Sequence, residues 1–172
     1  QPIQRLISTF PGAHTAASFS PDGSMIAFAQ SDDTGSNIWV KNLAQGDPIQ
    51  IVAGGDRPRW SPRNDQIIFT RPNPERRGWS TIWSVPPLGG PARLLIGGGQ
   101  HPDGSSHPEG GRTPSFSWDG SRIVFVRAGE IWTANTDGSE ERKIFSAQGG
   151  LHTPAFSSPW PARHGRRYRP AA

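Results

Sequence analysis

The sequence contains no cysteine, and methionine and tyrosine occur once each among its 172 residues. Without cysteine, neither a disulfide framework nor a thiolate metal site can form. The absence of cysteine suits a periplasmic protein without excluding a cytosolic one. No apolar run approaches the roughly 20 residues that a membrane-spanning helix needs, so no membrane span is predicted.

Sequence motifs for catalysis are also missing. The sequence has no Gly-x-Ser-x-Gly nucleophile turn, no phosphate-binding P-loop, no His-Glu-x-x-His pair and no EF-hand loop. We therefore predict no enzyme activity, no cofactor, and no catalytic or metal-binding residues. The pattern singles out no binding residue either.

The body of the chain lacks an excess of charge of either sign. The net charge of +4 arises in the last ten residues, which hold four arginines and no acid, while the rest holds 14 basic and 14 acidic residues. A neutral surface with mixed charges is not the footprint of a phosphate-binding protein, so we expect no nucleic acid to bind the body. The basic residues 158–172 are predicted to be a disordered tail.

What the sequence does contain is turn residues and aromatic residues. Glycine and proline number 21 and 18, beside seven tryptophans and eight phenylalanines. Aromatic side chains need burial, which argues against disorder. This composition is typical of many short strands joined by tight turns.

Three stretches of the chain, residues 17–28, 58–69 and 114–125, align without a gap. Each holds an aromatic residue, a serine, a turn such as Ser-Pro-Asp-Gly, and an apolar triplet ending in phenylalanine. Asn64 replaces the turn glycine in the second copy, and asparagine is the next best residue for a left-handed backbone. A fourth copy starts at 154–157 and stops.

Each unit has a second half with equal internal spacing. It opens with an Ile-Trp pair, passes through a glycine-containing turn, and closes on an apolar residue 13 positions after the isoleucine. The pairs are Ile38-Trp39, Ile82-Trp83 and Ile131-Trp132, and the closing residues are Ile51, Leu95 and Ile144.

The repeat predicts four short strands per unit. A period near 40 residues with four strands per unit is the signature of a β-propeller. A helical repeat is disfavoured because proline or glycine interrupts every candidate apolar stripe. We predict an all-β fold of four-stranded antiparallel blades, with about three complete blades plus flanking strands in an open or partial ring.

At these residues the sequence resembles the TolB-like, WD40-like propeller repeat, the PD40 unit. That repeat reads approximately Pro-x-aromatic-Ser-Pro-Asp-Gly, Ile-Ala-Phe, Ile-aromatic, a glycine turn and Arg-Leu. The sequence departs from it at Arg63, which replaces the aspartate, and at Trp118, which replaces the proline. The resemblance predicts propeller blades over 2–157: a strand of a preceding blade at 2–7, repeat units at 17–51, 58–95 and 114–144, and the start of a fourth at 154–157.

An open ring leaves sheet faces and strand edges uncovered. Closed propellers need about 4–8 blades, and exposed apolar edges aggregate or recruit partners. We therefore expect the remaining blades of a longer, bacterial protein to cover these edges. Self-association is the alternative.

The resemblance is specific for fold and open about function. Similar repeats occur in TolB of the bacterial cell envelope, in the propeller half of prolyl-oligopeptidase-type serine peptidases, and in sensor regions of winged-helix regulators and Ser/Thr kinases. The leading interpretation is a non-catalytic module that binds a protein partner or small ligand at the propeller's loop ends. It favours a periplasmic or other extracytoplasmic location. The alternatives are a peptidase propeller whose catalytic domain lies elsewhere, or a sensor region.

Asp22 and Asp119 could be taken for a catalytic pair of carboxylates. They stand at the same place in two copies of one turn, where an aspartate bonds the backbone nearby, so we predict a capping role. Trp39, Trp83 and Trp132 could form a stacking platform for sugars or bases. Their regular recurrence predicts packing between blades instead.

The histidines offer weak alternatives. His101 and His107, with Asp103 and Glu109, could hold a metal in the loop 97–112, but glycine-rich loops do not preorganise ligands, and a solvated loop is predicted. His14 and His152 precede the first strands of their units and could line a ring face or simply fill a turn. The hairpin tip 73–78 is predicted to be solvated.

Overall fold

The computed structural model describes residues 12–33, 35–73, 79–97, 110–146 and 153–156, together with the backbone of 99–100 and 106–107. Over this part of the chain every regular element is a β-strand. In chain order the strands are β1 Ala13–Phe19, β2 Met25–Asp32, β3 Gly35–Asn42, β4 Ile49–Val52, β5 Asp56–Trp60, β6 Ile67–Pro72, β7 Ser80–Val85, β8 Arg93–Ile96, β9 Gly99–Gln100, β10 Ser106–His107, β11 Arg112–Phe116, β12 Arg122–Arg127, β13 Glu130–Asn135 and β14 Arg142–Ser146.

Twelve of these strands form three antiparallel sheets in simple sequential order. Blade 1 contains β1 to β4, blade 2 contains β5 to β8, and blade 3 contains β11 to β14. The first strands of adjacent blades, β1 with β5 and β5 with β11, lie next to each other. The predicted all-β fold of four-stranded antiparallel blades is therefore confirmed.

Each blade begins earlier in the chain than its repeat unit predicts. In blade 1 the pairing Thr15 with Ala29 is followed by Ser18 with Ala27, so one extra residue stands in β1. β5 and β11 carry the same bulge. A left-handed residue occupies it in every blade: Ala16, Arg57 and Thr113, with φ of 50°, 53° and 50°. The bulge lets the first strand continue beyond the aligned repeat.

Asn64 has a φ of 59°, close to the 69° of Gly23 and the 65° of Gly120 at the matching turn positions. The turns of all three blades therefore need a left-handed residue, as predicted from the asparagine substitution.

The segment between blades 2 and 3 differs from its prediction. A solvated loop was expected over 97–112, whereas β9 pairs with β10 as a two-residue ribbon and β11 begins at Arg112. Because backbone groups pair wherever two extended segments meet, even a glycine-rich insertion can form such a ribbon. The predicted strand at 2–7 and tail at 158–172 lie outside the described residues. Residues 153–156 of the expected fourth blade are not in a strand.

The hydrophobic core consists of two clusters, one at each interface between blades. Each interface joins aliphatic side chains of the earlier blade to aromatic and apolar side chains of the later one. The first cluster contains Ala27, Ile38, Val40 and Val52 of blade 1 with Trp60, Ile67, Phe69 and Val85 of blade 2. The second contains Ile68, Ile82, Leu95 and Ile96 of blade 2 with Phe116, Ile123, Phe125, Trp132 and Ala134 of blade 3.

A glycine is required at the start of each interface. A Cβ added to Gly55 would lie 2.9 Å from Cδ1 of Ile38 and 2.9 Å from Cδ2 of Phe69. At Gly111 a Cβ would lie 2.9 Å from Cδ1 of Ile82 and 2.8 Å from a ring carbon of Phe125. In both interfaces the absent side chain lets an isoleucine of one blade meet a phenylalanine of the next.

We predict that Gly55→Ala destabilises the protein by about 1–3 kcal/mol, the usual effect of overpacking a filled core. Chemical denaturation measures the change. Gly97→Ala is the matched control, because its Cβ would face Leu94, a side chain that is 46% exposed and can shift. Equal effects of the two substitutions would contradict the close packing at Gly55.

Candidate binding surface

Asp22 and Asp119 hold the turns between the first and second strands of blades 1 and 3. Oδ1 of Asp22 accepts hydrogen bonds from the Ser20 hydroxyl at 2.6 Å and the Ser24 backbone N–H at 3.0 Å. Oδ1 of Asp119 accepts the equivalent bonds at 2.6 and 3.0 Å. The two carboxylates belong to separate turns, and the predicted capping role is confirmed.

These hydrogen bonds stabilise the charged form of each carboxylate. The Ser117 hydroxyl, followed by the Ser121 backbone N–H, lowers the pKa of Asp119 from 3.8 to about 2. The corresponding contacts of Ser20 and Ser24 lower the pKa of Asp22. A carboxylate held this firmly in its ionised form is a poor proton carrier near neutral pH.

Trp132 and Trp83 lie in the interfaces, as predicted. Trp132 is 4% exposed within the second core cluster, and Trp83 packs against the first. Their indole N–H groups donate to Glu130 and to Thr81 of the same strands. Trp39 is partly buried at the equivalent position of blade 1, on the face turned away from blade 2.

Arg127 is fully buried, and the sequence analysis did not predict a role for it. Its guanidinium lies 4.8 Å from the Trp132 ring centroid, donates twice to the Gly110 carbonyl, and forms a 2.6 Å ion pair with Glu141. Arg71 repeats the arrangement, stacking 4.8 Å from Trp83 and donating to the Ala53 carbonyl. The Phe-x-Arg motif that recurs at 69–71 and 125–127 is the sequence feature that could have identified both arginines. Both arginines tie the connecting segment to the blade it enters.

The histidine predictions have different outcomes. His14 lies within β1 rather than before it, because the bulge extends this strand, and its ring centroid is 5.6 Å from that of Phe28. His101, Asp103, Glu109 and His152 lie outside the described residues. For His107 only the backbone is described, in β10.

No metal centre or membrane-spanning helix is found in the part of the chain that the structure describes. Among these residues, no three histidine or acidic side chains are grouped so that they could hold a metal ion. The same residues form no helix long and apolar enough to cross a membrane. Of the predicted hairpin tip 73–78, only Asn73 is described.

In every blade, the connection between the first and second strands and the connection between the third and fourth strands lie at one end of the sheet, which we call the turn end. Arg63 of blade 2 donates to the Asp119 carbonyl of blade 3 at 2.9 Å, which fixes adjacent turns against each other. Large apolar side chains that are exposed at this end include Leu88, Leu94 and Trp118.

A groove of about 740 Å³ lies at the turn end of blade 2. Val85, Pro86 and Leu94 supply apolar walls, and Asp65, Gln66 and Arg93 supply polar groups. Arg93 also donates to the Asp137 carbonyl of blade 3 at 3.4 Å. Apolar and polar groups therefore line this open groove together, and no single sequence motif marks it.

Solved structures with the same fold include two described as TolB. The chain has a TM-score of 0.64 and 22% identity to TolB from Agrobacterium tumefaciens, over 82% of this chain and 52% of that one. For TolB from Acinetobacter baumannii the values are 0.68 and 20%, over 89% and 37%. The β-propeller domain of the Trilobed protease from Pyrococcus furiosus gives 0.59 and 17%, over 78% and 43%.

The chain thus spans about half or less of each of these structures. No family model and no curated protein matches it. At such identities the likeness shows the fold alone, and that fold is a TolB-like β-propeller.

Replacing Asp119 by asparagine should reduce the acid sensitivity of the protein. Because the folded-state pKa lies below 3.8 and near 2, the charged carboxylate stabilises the fold above that range, and the contribution is lost as pH falls through it. We expect the unfolding free energy of Asp119→Asn to change less between pH 4 and 2 than that of the parent, as measured by urea denaturation. Asp47→Asn, in an exposed turn, serves as the control. If the unfolding free energy of Asp119→Asn changed with pH as much as that of the parent, the lowered pKa of Asp119 would be contradicted.

Proposed function

We propose that the chain is a non-catalytic module of the TolB-like, PD40 repeat type that binds a protein partner or small ligand at its turn end. The observation that carries the proposal is that the blade frame engages the two aspartates that could be taken for a catalytic pair, together with the buried arginine. Asp22 and Asp119 cap turns, and Arg127 joins a blade to its connecting segment. Side chains engaged in this way are held in place for structure and not for turnover.

The groove at the turn end of blade 2 is the proposed binding surface. Part of its lining belongs to β7 and β8, and the rest belongs to the short turns that connect strands of blade 2, so no long loop forms it. Rigid walls limit the entropy lost on binding. An extended peptide that places an apolar side chain against Leu94 and Val85 is the ligand class that fits this lining.

A second candidate function is the propeller domain of a serine peptidase. Besides the Trilobed protease, a puromycin hydrolase shares the fold at a TM-score of 0.64 and 16% identity. In that case the catalytic residues belong to a part of the protein that this sequence does not contain. A periplasmic or other extracytoplasmic location remains part of the proposal, supported by the repeat's resemblance to TolB.

The chain should show no hydrolysis of peptidyl nitroanilides or nitrophenyl esters above the buffer rate. The reason is that Asp22 and Asp119 cap turns, and the serine hydroxyls beside them bond to these carboxylates and not to a histidine base. A steady-state assay over a substrate panel makes the measurement. Turnover that co-purifies with the chain and is lost on denaturation would overturn the non-catalytic proposal.

Peptides selected on the immobilised chain from a random-peptide display library should depend on the groove. We expect Leu94→Asp to weaken the binding of the selected peptides by about tenfold or more, because it removes an apolar anchor. Ile49→Asp is the matched control, because Ile49 is 48% exposed and Leu94 is 46% exposed on equivalent fourth strands. Titration by fluorescence anisotropy compares the two. If the selected peptides bind Leu94→Asp as tightly as the parent, the groove is not their binding site. Failure to select any peptide would contradict peptide binding.

A further inference from the structure

The polar part of the groove differs from the equivalent place in the other two blades. Ser84 directly follows the Ile-Trp pair of blade 2, and its counterparts are Val40 in blade 1 and Thr133 in blade 3. Val40 is 2% exposed within the first core cluster, so blade 1 fills this place with an apolar side chain. Blades 2 and 3 each put a hydroxyl there, and the surroundings of the two hydroxyls differ.

In blade 3 the hydroxyl is satisfied by its own blade. Thr133 Oγ1 donates to the Ile123 carbonyl at 2.9 Å and accepts from Nε of Arg122 at 3.3 Å. Gln66 holds the place of Arg122 in blade 2, since each directly precedes the first isoleucine of a second strand. A guanidinium therefore covers the hydroxyl in blade 3, whereas blade 2 has a shorter amide side chain that lines the groove.

The hydroxyl of Ser84 is left for a ligand to satisfy. Ser84 lines the groove and is 6% exposed. Within the part of the chain that the structure describes, its hydroxyl makes no hydrogen bond to another protein group. A buried hydroxyl without a partner is costly, and a polar atom of a ligand in the groove would remove that cost.

Asp65 is the second polar group of the groove that the frame does not engage. Ser24 and Ser121 hold its place in the turns of blades 1 and 3, and both donate to the turn aspartate. In blade 2 that aspartate is replaced by Arg63. Among the described residues, the Asp65 carboxylate has neither a hydrogen-bond donor nor an ion-pair partner.

The charge that the groove offers to a ligand is therefore negative. Asp65 and Arg93 are the charged side chains of its lining. Arg93 donates to the Asp137 carbonyl of blade 3 at 3.4 Å. The pKa of Asp137 is lowered first by the Ser139 hydroxyl and also by the charge of Arg93, so the two charges offset each other. No such opposite charge accompanies Asp65 among the described residues.

We propose that the groove recognises a lysine or arginine side chain of an extended peptide, beside the apolar residue that contacts Leu94. This inference rests on the proposed function and specifies its ligand. Asp65 supplies a carboxylate, and the Ser84 hydroxyl and Gln66 amide supply neutral oxygen acceptors for the ammonium or guanidinium. The aliphatic stem of either basic side chain suits the apolar part of the lining.

The first test selects random-peptide display libraries in parallel on the parent, Asp65→Asn and Asp47→Asn. Lysine or arginine should be enriched in peptides selected on the parent and on Asp47→Asn, and the enrichment should be lost on Asp65→Asn. Asp47 is exposed in a turn of blade 1 and controls for the loss of one surface carboxylate. Enrichment of acidic residues would assign the site to Arg93 and overturn the inference.

The second test is a double-mutant cycle with a synthetic consensus peptide and its variant in which glutamine replaces the basic residue. Removing either charge should weaken binding about two- to fivefold, the usual effect for an exposed ion pair. Removing the second charge should then add little, as fluorescence anisotropy can measure. Losses that multiply in the cycle would show that Asp65 does not contact the basic residue.

Ser84→Ala tests the buried acceptor. It should weaken binding of the same peptide about tenfold, because a hydrogen bond to a charged group is lost, while the urea midpoint stays near that of the parent. Thr133→Val is the matched control: it should lower the urea midpoint, since its hydroxyl bonds the Ile123 carbonyl, and leave peptide affinity unchanged. Unchanged affinity in Ser84→Ala would overturn the role of this hydroxyl.

The outcomes separate this inference from the proposed function beneath it. Selected peptides that depend on Leu94 but carry no preferred basic residue would overturn the inference and leave peptide binding at the groove standing. Failure to select any peptide would contradict peptide binding itself, and the inference with it.

Discussion

Packing between successive blades holds this molecule together. A four-stranded sheet with apolar side chains on both faces is stable only when those faces are covered. In both internal interfaces an isoleucine of one blade meets a phenylalanine of the next above a glycine. Burying one such large side chain contributes about 1.5–3 kcal/mol, so a cluster of eight or nine outweighs any single turn or surface ion pair.

Polar side chains also stabilise the contact between successive blades. A buried guanidinium is costly unless it is paired and hydrogen-bonded, and Arg127 meets both conditions through Glu141 and the Gly110 carbonyl. It also lies over Trp132 in the interface. Arg63 and Arg93 reach across to backbone carbonyls of the next blade. Arg63, Arg93 and Arg127 are thus part of the frame that joins the blades.

Because the frame engages these groups, the binding function that we propose falls to the turn end. The groove of blade 2 and the exposed Leu88, Leu94 and Trp118 lie at the turn end, and Phe19 and Phe145 lie on the two outer faces. The ends offer a mixed polar and apolar lining suited to a ligand.

The number of strands per blade, the turn chemistry and the interface positions of Trp83 and Trp132 could be predicted from the sequence. These features follow from local rules, namely alternation, turn geometry and an equal spacing repeated three times. The folded chain was needed to show where β1 begins, that His14 lies against Phe28, that Arg127 pairs with Glu141, and that a groove lies beside Leu94. The physical reason is that each of these depends on which distant residues are brought together, and the bulge in the first strand shifts that register by one residue.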